Sequence, residues 1–354
     1  MKVLIAMSGG VDSSVAAQLM KSKGYDCIGC TMKLYNKEET DKCGKTCCSL
    51  DDVEDARAVA YKLDMPYYVF NYTDEFEEAV IEPFIKCYEC GVTPNPCIEC
   101  NRHLKFRHLL DKAFALDCDY IVTGHYARIE KQGDKYILKK AADESKDQSY
   151  VLHFLSQEQL AHIMFPLGEM CKAKARDLAS ESGFINADKP DSQDICFVPD
   201  GDYAKVISER TGRTYEPGNF VNKEGKILGQ HKGIINYTIG QRKGLGLALQ
   251  EPAYVCELRT DTNEVVLGKN EDLFSRDVYA GNFNWISGEE PEGEVRCSAK
   301  IRYRMKEMPC TAVSLGDGKV KLTFDEPQRA VTPGQFAVLY DGDIVLGGGV
   351  IEFY

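Results

Sequence analysis

The chain has 354 residues, 44% hydrophobic and 28% charged, with a formal net charge of −12. At roughly 150 residues per domain this predicts two or three domains, and no window pairs low apolar content with high charge, which excludes wholesale disorder. Its apolar stretches stop short of a membrane span and Met1–Met7 is too short for a signal peptide, so the reading is a cytoplasmic protein with no membrane partner.

The first 125 residues alternate strand and helix. Lys2–Ala6 reads as a strand and Ser13–Lys23 as a helix, with Gly24 placed for a C-cap. Asp26–Met32 is a second strand. A helix starts at Ser49-Leu50-Asp51-Asp52, with Val53, Ala56, Ala60 and Leu63 as its apolar stripe. Pro66–Asn71 is a strand and Asp74–Ile85 a helix. Asn101 caps a further helix whose Phe106, Leu109, Leu110, Ala113 and Phe114 share a face, and Asp119–Thr123 is a strand. This alternation predicts an α/β unit with a parallel sheet, residues 1–205. Beyond it, short alternating runs (Tyr254–Leu258, Glu264–Leu267, Val295–Tyr303, Val320–Phe324, Ala337–Tyr340) are broken by turn pairs such as Asp317-Gly318 and Asp341-Gly342. They predict a small β-rich connecting domain, 206–276, and a C-terminal β-barrel, 277–354.

Ser8-Gly9-Gly10-Val11-Asp12-Ser13-Ser14 follows the first strand and opens the first helix. Glycines let backbone amides turn toward an anion, serine hydroxyls add donors, and the helix N-terminus adds positive potential, as a phosphate site needs. The Gly-Lys-Ser/Thr ending of a Walker A loop is absent, and Gly44-Lys45-Thr46 lacks the upstream glycine. A loop with no lysine of its own suits pyrophosphate release and adenylation of a substrate oxygen better than γ-phosphoryl transfer.

This loop resembles that of the N-type ATP pyrophosphatases. Further matches are Thr93-Pro94-Asn95-Pro96 before Cys100-Asn101, Thr123-Gly124-His125-Tyr126, Lys146-Asp147-Gln148-Ser149-Tyr150 and Asp191-Ser192-Gln193-Asp194-Ile195-Cys196-Phe197. Gly240-Gln241-Arg242-Lys243-Gly244-Leu245-Gly246, Arg302-Tyr303-Arg304, Thr332-Pro333-Gly334-Gln335 and Gly347-Gly348-Gly349 complete the set. Over essentially its whole length the chain is thus similar to the tRNA-specific 2-thiouridylases. The resemblance implies ATP with Mg2+, held by Ala6, Met7, Ser8, Gly9, Gly10, Val11, Asp12, Ser13, Met32 and Gly124. It implies 2-thiolation of the wobble uridine of tRNA through adenylation of its C2 oxygen. The sulfur would come from a cysteine desulfurase, a sulfur-relay protein or free sulfide. Asn95, Pro96, Cys97, His125, Lys146, Asp147, Gln148, Arg302, Tyr303 and Gln335 would contact the tRNA.

Fifteen cysteines in a reducing compartment point to thiols, metal ligands or catalytic groups, and nine lie in the first hundred residues. Cys100 sits at a predicted helix N-terminus, where the dipole favours thiolate. Cys196, between Ile195 and Phe197, reads by pattern alone as a buried strand cysteine. The resemblance makes these two the catalytic pair, with Cys196 carrying a persulfide. Cys97 stands where many members of the family have aspartate. The resulting Cys97-Ile98-Glu99-Cys100 matches a subgroup for which Cys97, Cys100 and Cys196 would instead hold a [4Fe-4S] cluster. A zinc site on Cys87-x-x-Cys90 and Cys97-x-x-Cys100 is disfavoured by the short gap between the pairs. Cys43, Cys47 and Cys48 have no assigned role. On a strand, Lys300, Arg302 and Arg304 would form a basic stripe able to meet phosphates, or a solvated edge. An adenylating enzyme that transfers nitrogen, and a non-catalytic RNA-binding protein, are the rival readings; the first leaves Cys100 and Cys196 idle, the second leaves the phosphate loop unexplained.

Overall fold

The computed structural model describes residues 1–35, 50–190, 195–198 and 200–353. Cys43, Cys47, Cys48, Ser49 and residues 191–194 lie outside the described residues. The N-terminal unit is built on β1 (Lys2–Ala6), β2 (Asp26–Lys33), β3 (Tyr67–Asn71), β4 (Tyr120–Val122) and a two-residue β7 (Ile163–Met164), parallel in the order β3-β2-β1-β4-β7. Val3, Leu4 and Ile5 are fully buried at its centre, as a doubly covered parallel strand requires. The chain runs outward from β1 to β3 and then returns to place β4 on the other flank of β1. The carboxyl ends of β1 and β4 therefore flank the point where strand order reverses, the usual place for a ligand crevice.

Helix α1 (Val11–Ser22) follows β1 and ends at Gly24, whose φ of +80° meets the C-cap expectation. Helix α2 (Leu50–Lys62) buries Val53, Ala56, Val59 and Ala60. Helix α3 runs through Thr73–Phe76, Glu77–Ile81 and Glu82–Glu89, its middle segment π-helical. Pro83 accounts for this: it offers no N–H and crowds the carbonyl four residues back, and the wider turns let the helix pass. Helix α4 likewise runs Pro96–Glu99, a π-helical Cys100–His108, and Leu109–Ala115. Here the expectation is corrected. The helix starts at Pro96 with Asn95 as N-cap; Asn101 is buried inside it and donates from Nδ2 to the Val151 carbonyl at 3.4 Å.

Helix α5 (Lys172–Glu181) packs on α1, and α6 (Tyr203–Thr211) spans the first expected junction. The connecting unit is a four-stranded sheet, β10-β11-β8-β9, of Gly218–Asn222, Ile227–His231, Tyr254–Arg259 and Glu264–Gly268 in chain order from β8. Then β12 (Phe274–Trp285), β13 (Glu294–Lys300), β14 (Met308–Gly316), β15 (Lys319–Arg329), β16 (Phe336–Asp341) and β17 (Ile344–Ile351) form a barrel, closed by pairing β12 with β17. Asp317 and Gly318, at φ of +52° and +68°, turn β14 into β15. Strand β13 stops at Lys300, so Arg302 and Arg304 lie in the turn after it and the expected basic stripe does not form.

A hairpin from the first unit, β5 (Ala127–Gln132) and β6 (Lys135–Lys140), extends the barrel sheet at β17, Lys139 facing Ile344. Asn284 Nδ2 donates to the carbonyls of His153 and Leu155 at 2.8 and 3.2 Å, so the barrel and the N-terminal unit share one seam. Glycines make the seam possible: a Cβ on Gly348 would lie 2.7 Å from the His153 ring. His153 is fully buried and donates from Nδ1 to the Tyr150 carbonyl at 2.9 Å; burial pushes its pKa down to about 3. The unfolded ring titrates near 6.5, so below that pH the unfolded chain binds a proton that the native ring refuses. Native stability is therefore lost as pH falls from 6.5 toward 3. His153→Leu removes this dependence: the stability advantage of the native chain over the variant should shrink by about 2 kcal/mol between pH 6.5 and 5 in urea unfolding. An advantage independent of pH would contradict a neutral buried ring.

Candidate active site

The phosphate loop turns from β1 into α1 at the reversal point. The Met7 N–H donates to the Cys30 carbonyl at 2.7 Å, fixing the loop's start, and Gly9 adopts φ +74°. A Cβ there would collide with the Asp52 backbone at 2.3 Å, so glycine is required on both counts. Gly10 caps α1 without a side-chain hydrogen bond, leaving the first amides of the helix directed at the crevice. Ser13 Oγ accepts from the Ser8 N–H at 3.2 Å and donates to the Gly10 carbonyl at 3.0 Å. Met32 lies near the carboxyl end of β2, on the neighbouring strand.

Thr123–Tyr126, after β4, closes over this loop. A Cβ on Gly124 would sit 2.8 Å from the Ser13 nitrogen, so backbone meets backbone. Asp12, the sole carboxylate of the Ser8–Ser14 segment, accepts from the Tyr126 hydroxyl at 2.8 Å and from Lys172 Nζ at 2.7 Å on both oxygens. On the far side Asn186 Nδ2 donates to the Gly9 carbonyl and Ser14 Oγ, both at 2.9 Å. Lys189 Nζ reaches the Gly9 carbonyl at 3.3 Å, Asp55 at 2.7 Å and Asp52. Partial burial works to lower the Lys189 pKa, but the hydrogen bonds of the two aspartates outweigh it and raise it. The loop that lacks a lysine in sequence thus has two ammonium groups beside it in space. Sequence reading missed Lys172, Asn186 and Lys189; they come from 160 to 180 residues away and carry no motif.

His125 is buried and neutral, its pKa pushed well below the ordinary range by burial and then by the Lys105 charge. Nδ1 is 2.7 Å from the Thr123 hydroxyl, and the ring packs on Phe106 of α4 at 5.7 Å between centroids. The structure thus places it under the surface, joining the phosphate-loop cover to α4. Gln148 pins the same cover, its Oε1 accepting from the Tyr126 N–H and its own N–H donating to the Tyr126 carbonyl, each at 2.9 Å.

The segment before α4 rests on the barrel. Gln335 Nε2 donates to the carbonyls of Thr93 and Pro94 at 2.9 and 3.2 Å, and the Thr93 N–H donates to the Pro333 carbonyl at 3.0 Å. Beside this clasp lies an apolar cavity of about 420 Å³ bounded by Pro94, Asn95, Pro96 and Phe336. Cys97 is exposed on the first turn of α4, and Cys100 is half-buried one turn in, not at the helix start. Tyr303, 40% exposed, points its hydroxyl at the Asp147 carbonyl 3.5 Å away; burial of the phenol and then the fields of Asp147 and Cys97 raise its pKa. Asp147 accepts from the amides of Ala141 and Ser149 and stands 3.8 Å from Lys300, while Lys146 is half-buried beside it. Arg302 is turned inward. Its Nη2 donates to the carbonyls of Ala330 and Ile239 at 2.9 and 3.3 Å and to the Thr332 hydroxyl, clasping barrel to connecting unit.

Cys196 is half-buried in a turn closed by a 2.8 Å bond from the Val198 N–H to the Ile195 carbonyl, not on a strand. Phe197 anchors it, packing edge-on to Phe76 and Phe84. Cys100 and Cys196 pack against the same hydrophobic core. Among the described residues no three His, Cys, Asp or Glu side chains gather as ligands for a metal ion. No described helix is long and apolar enough to cross a membrane.

Residues 1–200 match the tRNA methyl transferase HUP domain family, 205–269 the tRNA methyl transferase PRC-barrel domain, and 275–351 the aminomethyltransferase beta-barrel domain. The tRNA-specific 2-thiouridylase MnmA of Clostridium botulinum (strain Alaska E43 / Type E3) is 52% identical over 352 residues, 99% of this chain and 98% of that protein. That of Clostridioides difficile (strain 630) is 50% identical over 99% and 98%. A solved 4-thiouridine synthetase–RNA complex with bound ATP is a distant likeness, 18% identical over 60% of this chain and 50% of that one at a TM-score of 0.35. Although the domain descriptions name methyl transfer, full-length relatives at half identity outweigh them, and the chain belongs to the tRNA-specific 2-thiouridylase family of enzymes.

Proposed function

We propose that this chain is an ATP-dependent sulfurtransferase that converts the wobble uridine of tRNA to 2-thiouridine. One observation carries the reading beyond family membership: Thr123–Tyr126 touches the phosphate loop on one side and α4, which bears Cys97 and Cys100, on the other. A nucleotide on the loop and a base beside α4 would then share one crevice. The tRNA would bind across the clasp, meeting Asn95, Pro96, Cys97, Lys146, Tyr303 and Gln335 at the surface. Asp147, Gln148, His125 and Arg302 support that surface from beneath. A uridine flipped out of its loop would enter beside Cys97.

The chemistry follows from the groups present. The uridine C2 oxygen attacks the α-phosphorus of ATP and pyrophosphate leaves, which turns an inert carbonyl oxygen into a leaving group. Loop amides and Lys172 and Lys189 are placed to take the departing charge. A magnesium ion accompanying the nucleotide would be held by phosphate oxygens and Asp12, and supplies further charge neutralisation. The terminal sulfur of a Cys196 persulfide, loaded as sulfane sulfur by a cysteine desulfurase or a sulfur-relay protein, then attacks C2 and AMP leaves. Cys100 thiolate attacks the Cys196 sulfur, which frees the thiocarbonyl and leaves a Cys100–Cys196 disulfide for an external dithiol to reduce.

Incubation with unmodified tRNA, ATP-Mg and a persulfide donor, followed by digestion and mass spectrometry, should yield 2-thiouridine. Cys196→Ser should lower that yield at least a hundredfold while ATP binding persists; a fully retained yield would remove Cys196 from the sulfur route, and no 2-thiouridine from the wild type would restore the nitrogen-transfer reading. Lys172→Gln should raise the KM for ATP about tenfold, as loss of one charge-assisted contact near the phosphates implies. An unchanged KM would remove Lys172 from the site.

A further inference from the structure

Cys196 has a close polar neighbour in Tyr35. Tyr35 lies just past the carboxyl end of β2, on the crevice side of the sheet, and is only 5% exposed. Its hydroxyl is 2.6 Å from Cys196 Sγ. The ring is clamped edge-on against Phe76, with centroids 5.1 Å apart and planes at 78°, and Phe76 in turn meets Phe197 at 5.9 Å. The same aromatic cluster thus fixes the phenol and, through Phe197, the backbone that carries the cysteine.

We propose that Tyr35 is a positioning residue for Cys196, its hydroxyl donating a hydrogen bond to the sulfur. The direction of that bond follows from the chemistry. A thiolate has no hydrogen to give, so in the reactive form only the phenol can donate. A donor to the charged form favours that form, and here it does so in a half-buried site where burial alone would favour the neutral thiol. The bond also selects one orientation of Sγ, toward the Tyr35 hydroxyl. Tyr88 and Tyr203, which extend the cluster, are held neutral by burial and carry no charge through the neutral range. The role rests on the reading of Cys196 as the sulfur-carrying residue, but the contact itself does not.

The test uses Tyr35→Phe in the full-length chain, which keeps the ring and removes only the hydroxyl. Alkylation by iodoacetamide, followed across pH and resolved to the Cys196 peptide by mass spectrometry, reads the thiolate without needing turnover. The midpoint should rise by about one pH unit, a tenfold loss of alkylation rate at neutral pH. The thiolation kcat should fall about tenfold with the KM for ATP unchanged. Phe76→Leu loosens the packing but keeps the hydroxyl, and its alkylation midpoint should stay within a few tenths of the wild-type value. A Tyr35→Phe profile that superimposes on the wild type, or a Phe76→Leu shift as large as that of Tyr35→Phe, would overturn the proposal. Full thiolation by Cys196→Ser would instead remove the reading beneath it, so the two failures are distinguishable.

Discussion

Three hydrogen bonds carry the arrangement on which the rest depends: Gln335 to the carbonyls of Thr93 and Pro94, and Thr93 to the carbonyl of Pro333. They hold the entry of α4 against the barrel. Extended Thr93-Pro94-Asn95-Pro96 has few amides to spend on regular structure, since two of its four residues are prolines. Its carbonyls need donors from elsewhere, and the barrel supplies them. Gly334 is the geometric condition, because a Cβ there would lie 2.2 Å from Val92. A segment too irregular to position itself is thereby fixed by a rigid sheet, and with it the first turn of α4 that presents Cys97.

From that clasp a continuous set of contacts leads back to the phosphate loop. Phe106 of α4 packs on His125, Gly124 lies on Ser13, and Tyr126 bonds Asp12. Each link is short-range and at least partly buried, so the relative placement of loop and helix has little freedom. Charge is handled in the same economical way. Asp12 balances Lys172, and Asp52 and Asp55 together outweigh the charge of Lys189, so neither cation beside the loop is left uncompensated.

Much of this was readable from the chain itself, for physical reasons that differ by region. The switch from a short continuous apolar run to a helix across Ser8–Ser14 marks β1, the loop and α1, and the turn pair Asp317-Gly318 marks a hairpin because left-handed φ values are demanded there. Strand β7 has two residues and no period to detect, and β5–β6 is polar enough to read as loop although it extends the barrel sheet. Asn101 has the residue type of a cap yet sits inside a π-helical stretch, since Asn95 and Pro96 start the helix earlier. Arg302 reads as a phosphate contact in a basic run, but its turn folds it onto backbone carbonyls. Lys172, Asn186 and Lys189 were invisible because proximity across more than 150 residues leaves no local pattern.

The central claim is that the loop serves adenylation of a tRNA-borne oxygen, and this is tested most directly before any sulfur is present. Wild-type enzyme mixed with ATP-Mg and unmodified tRNA in the absence of a sulfur source should release pyrophosphate, not orthophosphate, about one equivalent per active site. The release should vanish when the wobble uridine is replaced by cytidine. Orthophosphate as the product, or pyrophosphate released at the same rate without tRNA, would contradict the account.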